Sequence, residues 1–150
     1  MPSHSEKRFM PYSAAEMYEL VADVPRYPEF LPWNSAARVR ARQNLGDGRE
    51  EQLIDLVISF KLFREKFGSR VVLNPAARRI DTEYLDGPFR YLKSWWQFAD
   101  RAEGCEVEFF VDFEFRNFVL QKVIGVVFDE AMRRVVRAFE ARAAALYGRR

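Results

Sequence analysis

A lone histidine, a lone cysteine, two neighbouring carboxylates and a pair of glycines are the residues in this 150-residue chain that could do chemistry. A thiol or imidazole catalyst needs a base or an orienting partner within hydrogen-bond reach. His4 stands near the N-terminus far from any other soft ligand, so it cannot anchor zinc or haem alone, and Cys105 follows Gly104 in what reads as a turn. No serine sits in a tight glycine elbow. Asp112 and Glu114 share one strand face and could pair as acid and base, but that alternation equally fits an outward, solvated face. The stretch NLGDGR has neither the spacing nor the following helix of a phosphate-binding glycine loop. The expectation is a chain with no metal and no catalytic set.

What remains is apolar. Aromatic residues make up 15% of the chain, 14 of them Phe, which implies either a core of large rings or a cavity lined by them. The segment YPEFLPWNS concentrates Tyr27, Phe30, Leu31 and Trp33 where Pro28 and Pro32 forbid an ordinary helix. Capping of a core explains any one of these rings. So short a proline-restricted segment can hardly turn all of them inward, and some should face a ligand or a partner.

The elements that must hold this segment follow from pattern. One domain spanning residues 1–150 is expected from the length. Residues His4 to Met10 read as an opening edge strand. Ser13 and Glu16 stand at capping-box spacing, with Tyr12 and Met17 as the staple, and Met17, Leu20, Val21 and Val24 repeat at helical spacing until Pro25 and Pro28 stop them. A meander of about six antiparallel strands follows, punctuated by NLGDG, NPAAR and DGP. LIDLVISFKLF reads as one long buried strand, and EKFGSRVVL as the next. CEVEFFVDFEF alternates Val107, Phe109, Val111, Phe113 and Phe115 with acids, the strongest strand signal in the chain. From Asn117 to Tyr147 the period becomes helical, giving a closing helix about 45 Å long. Val123, Val127, Ala131, Val135, Ala138 and Arg142 form its expected inward stripe, flanked by Leu120, Ile124, Phe128 and Phe139. An α+β fold results, a curved antiparallel sheet wrapped around a long C-terminal helix, with room between them.

Three blocks, VADVPRYPEFLPW, LDGPFRYLKSWWQF and VEFFVDFEFRNFVLQKVIGVVFDEAMRRVVRAF, resemble the coenzyme Q-binding proteins, START-like proteins with a helix-grip fold. The same blocks occur in the similar bacterial ribosome association toxin. Residue by residue, the resemblance covers Asp23, Val24, Tyr27, Phe30, Leu31, Pro32 and Trp33, then Asp86, Gly87, Pro88, Phe89, Trp96 and Phe98, then Asp112, Phe113, Phe115 and Phe128. Many relatives carry a cysteine after the tryptophan, where this chain has Asn34, and Trp95 is an extra ring. The resemblance implies a non-enzymatic carrier or chaperone with no cofactor. Ubiquinone or a similar prenyl lipid is then its bound ligand, and support of respiratory electron transport its role. The candidate ligand-binding residues are Tyr27, Phe30, Leu31, Trp33, Trp96, Phe98, Phe109, Phe113, Val123, Val127 and Phe128. A quinone head also needs donors, for which Arg64, Lys66 and Arg90 are candidates.

Charge is nearly balanced, 24 basic against 22 acidic residues, so no global field favours DNA. Arg133, Arg134 and Arg137, with Arg149 and Arg150, form a basic face that is either solvated or meets a membrane surface or the large ribosomal subunit. MPSHSEKRF lacks the apolar region of a secretory signal, and no apolar run is long enough to cross a membrane. The expected location is the bacterial cytoplasm, including the inner-membrane periphery.

Overall fold

Ser13 opens the first helix as its spacing from Glu16 predicts. Its Oγ accepts from the Glu16 amide at 3.1 Å, and the Glu16 carboxylate accepts from the Ser13 amide at 2.9 Å. The structure is a computed structural model that describes residues 3–60 and 63–148. Strand β1 (Ser3–Met10) precedes this helix, α1 (Ala14–Ala22). Pro25 and Pro28 then compress the chain into a 3-10 helix over Val24–Glu29, after which the Leu31 amide donates back to the Tyr27 carbonyl at 2.8 Å. The ring-rich segment is therefore wound tightly rather than looped.

The meander comprises β2 (Asn34–Asn44), β3 (Glu50–Phe60), β4 (Phe63–Asn74), β5 (Arg79–Asp86), β6 (Phe89–Arg101) and β7 (Gly104–Phe115). With β1 it makes a seven-stranded sheet in the order β1-β7-β6-β5-β4-β3-β2. The return of β1 alongside β7 explains Gly104, where a Cβ would collide with the Met10 carbonyl oxygen. One strand expected from the sequence is in fact two. LIDLVISFKLF is split between β3, ending at Phe60, and β4, beginning at Phe63, and these two residues pair. Residues 61–62 between them lie outside the described residues, in a run with no glycine or proline to announce a break.

Helix α2 (Phe118–Tyr147) is capped by Asn117, whose side chain accepts from the Leu120 amide at 3.0 Å. It lies across the concave face with Leu120, Ile124, Phe128, Ala131, Val136, Phe139 and Ala143 buried. The inward stripe is thus rotated by about one residue from the expected one. Val127 is 40% exposed and Val126 86% exposed. The reason is local: the first turns of α2 are apolar nearly all round, so spacing offers several equally good phases. The ring residues Phe128 and Phe139 fill the sheet's concavity and decide which is adopted.

Cys105 sits within β7, not in a turn, and is fully buried. Burial, with smaller contributions from Asp100 and Glu16, pushes its thiol up to about 11. Since the thiolate is the reactive form, a thiol reagent near neutral pH should leave Cys105 untouched in the folded protein and label it fully in denaturant, as read by mass spectrometry. Labelling at equal rates in both states would contradict the burial.

Candidate functional site

Between sheet and α2 lies a cavity of about 240 Å³. The inward residues of five strands form most of its wall. Alternation supplies Leu56, Ile58 and Phe60 from β3, Phe67 and Val71 from β4, Ile80 and Thr82 from β5, Leu92, Ser94 and Trp96 from β6, and Phe109, Val111, Phe113 and Phe115 from β7. Helix α2 closes it with Ile124, Met132 and Val135. Val24, Tyr27, Leu31, Pro32, Trp33 and Asn34 complete one end. No described lining residue is charged, so the space suits a neutral, mainly apolar guest.

Trp33 forms the lip. Its φ of 66° is in the left-handed region, unusual for a bulky residue, and is held by the Ser59 amide donating to its carbonyl at 2.8 Å. Phe60 meets its ring edge-on at 5.9 Å, and the Arg134 guanidinium lies over it at 5.4 Å. On the same rim Tyr27 donates its hydroxyl to the Val21 carbonyl, and burial pushes that phenol well above its ordinary range. Phe139 supports the rim from α2. Tyr27 and Phe30 each meet its ring at 5.3 Å, while Trp96 meets it at 5.0 Å and stacks on Phe109 at 4.3 Å.

The structure brings Tyr27, Leu31, Trp33, Trp96, Phe109 and Phe113 together on the cavity wall. The other candidates lie elsewhere. Phe30 turns away, against Phe139 and under Arg142 at 5.1 Å. Phe98 is buried beneath α1 against Tyr18, with ring centroids 6.1 Å apart. Phe128 packs on Phe113 at 5.1 Å beside the cavity, joining α2 to the sheet. Val123 is half-buried outside the wall and Val127 faces outward, both because of the helix phase described above. Arg64 and Lys66 are exposed, and Arg90 pairs with Glu114 at 3.3 Å, so none of the three reaches the cavity. Trp95 stacks on Phe110 at 5.8 Å on the outer face of the sheet, under Arg79. Sequence reasoning missed Leu56, Ile58 and Phe60, although the alternation within LIDLVISF marks one face, and it missed Thr82 and Ser94, which share a face with Ile80 and Trp96.

The basic face of α2 is partly used within the molecule. Arg137 pairs with Glu130 at 2.8 Å, Arg133 with the same carboxylate at 3.8 Å, and Arg134 with the Trp33 ring. Arg142 binds Glu29 at 2.7 Å, fastening the 3-10 helix to α2. Arg149 and Arg150 lie outside the described residues. His4 is buried with Glu6 and Asp129 at 2.9 and 3.2 Å, which ties β1 to α2. Asp112 and Glu114 are on the outer sheet face, away from the cavity. Among the described residues no cluster of His, Cys, Asp and Glu could hold a metal ion, and no helix is long and apolar enough to cross a membrane.

Comparison with known proteins agrees with this architecture. The ribosome association toxin RatA of Rickettsia prowazekii is 38% identical over 95% of this chain and 97% of its own. The mitochondrial coenzyme Q-binding protein COQ10 homolog B of Xenopus laevis is 31% identical over 97% of this chain and 59% of its own. The solution structure of the 18 kDa protein CC1736 from Caulobacter crescentus superposes with a TM-score of 0.83 at 33% identity, covering 99% of this chain and all of that one. The family described as polyketide cyclase / dehydrase and lipid transport matches residues 10–140. With that match, the curved sheet gripping a long helix, and these relatives, the chain belongs to the START-like polyketide cyclase / dehydrase and lipid transport family.

Proposed function

We propose that this protein binds a prenylated quinone of the ubiquinone type, holds it out of water between sheet and α2, and carries it in support of respiratory electron transport. The observation that supports this most is the uncharged, ring-walled cavity whose lip is a strained Trp33. An isoprenoid tail needs only apolar walls, each methylene-sized group contributing about 0.8 kcal/mol on burial. Partitioning is the mechanism: the described residues on the cavity wall include no histidine, cysteine, lysine, arginine or carboxylate, and its polar groups are the hydroxyls of Tyr27, Thr82 and Ser94 and the amide of Asn34. The protein would work in the bacterial cytoplasm and at the periphery of the inner membrane. Lipid extracted from protein purified from a ubiquinone-producing host should contain quinone by mass spectrometry at a substantial fraction of one per chain. Repeated extraction without quinone would refute the proposal.

The similarity to RatA over nearly the whole chain favours a second reading, association with the large ribosomal subunit that blocks subunit joining. Under it, the protein should co-sediment with large subunits and lose them as salt rises, since phosphate contacts release counterions. Replacing Arg133 and Arg137 by glutamine should then abolish co-sedimentation while leaving lipid retention unchanged.

A further inference from the structure

One polar seam crosses the apolar cavity. Thr82 on β5 and Ser94 on β6 both line it and stand directly opposite each other in the antiparallel register, which sets their Cβ atoms about 5 Å apart. Their row continues to Val71 on β4 and Val111 on β7, so the pair sits in the middle of the sheet, not at its rim. One diagonal step away, Ser69 lies on the same face of β4, between the wall residues Phe67 and Val71. Ser69 is completely buried and its Oγ has no hydrogen-bond partner. At the rim, by contrast, polar groups are engaged: Asn34 Nδ2 donates to the Pro32 carbonyl at 3.2 Å and the Tyr27 hydroxyl to the Val21 carbonyl.

Hydroxyls inside a ring-walled cavity are costly unless something completes their hydrogen bonds, and each such group in a native fold calls for an explanation. Hydroxyls suit neutral oxygens. A carboxylate or phosphate would lose its hydration here with no cation to replace it, whereas a carbonyl or ether oxygen only exchanges water for a hydroxyl donor. We infer that Thr82 and Ser94, backed by Ser69, recognise a neutral ring bearing carbonyl or ether oxygens, so that the guest enters ring first and its tail runs back past Trp33. This rests on the quinone reading above, and it excludes fatty acids and phospholipid headgroups from the seam.

The test compares two guests that share a tail chemistry and differ in the head: a ubiquinone with a six-unit isoprenoid tail, and squalene, six isoprene units with no oxygen. Each is loaded separately on the full chain, and the amount retained through gel filtration is measured by mass spectrometry, with thermal unfolding as a check on each variant. The wild-type protein should favour the quinone. Thr82→Val/Ser94→Ala should lower the quinone-to-squalene ratio by roughly tenfold or more, the size of a lost hydrogen bond, with squalene retention unchanged. Thr82→Ser, which keeps the hydroxyl, should hold the wild-type ratio if the double variant is poorly folded, and Ser69→Ala should lower it in part. An unchanged ratio in the double variant, equal loss of both guests, or quinone loss only on Asn34→Ala would overturn the inference. A wild-type protein that retains squalene but no quinone would overturn it together with the quinone reading, and one that retains neither would remove the cavity's role altogether.

Discussion

Exchanging Met132 for glutamate should empty the cavity of apolar guests while leaving the fold in place. Met132 is half-buried on α2 and faces the cavity wall, so in the vacant protein its replacement still reaches water. A guest would seal the carboxylate in among rings. No described residue on the wall is basic, so the charge would find no partner there, and burial of an unpaired carboxylate costs several kcal/mol. A penalty of about 3 kcal/mol corresponds to more than a hundredfold weaker retention. Mass spectrometry of bound lipid, with circular dichroism of the same sample, checks both halves of the expectation. Undiminished lipid in a folded Met132→Glu protein would place the guest elsewhere.

Phe139→Ala should be the most destabilising single truncation on α2. The ring is 1% exposed and touches Tyr27, Phe30 and Trp96, so its removal opens a void under the rim and beside the cavity at once. Losses of this type run to about 3–5 kcal/mol, a large part of a small domain's total stability. Val127→Ala is the control. Its side chain is 40% exposed, and it should shift stability by no more than about 0.5 kcal/mol. Urea titrations of the two variants read the helix phase directly. A larger loss from Val127 than from Phe139 would mean that the stripe expected from spacing alone is the buried one.

The reasons for what was and was not legible in the sequence differ from element to element. The first helix announced itself because Ser13 and Glu16 satisfy each other's amides locally, and β7 because its alternation of Phe and acid is a two-sided surface written in one dimension. The division between β3 and β4 was hidden, since a run without glycine, proline or asparagine leaves no mark on composition. The phase of α2 was hidden for a different reason. Where Val119, Val123, Val126 and Val127 make an apolar face beside that of Leu120, Ile124 and Phe128, only the concavity they meet can select between the two, and that is a tertiary fact. The rim was legible as a group of rings but not as separate roles: Leu31 and Phe30 are neighbours in sequence, yet one lines the cavity and the other packs behind it. Thr82 and Ser94 were available to parity reasoning from Ile80 and Trp96. Neither carries a ring or a charge that would mark it as a site residue.

The guanidinium over Trp33 joins two surfaces that would otherwise be independent. Were an anionic partner to draw Arg134 off the indole, occupancy of the interior by a guest and attachment to that partner would become linked equilibria, each altering the other by the same factor. A cargo protein so wired would hold its load in free solution and loosen its grip on arrival.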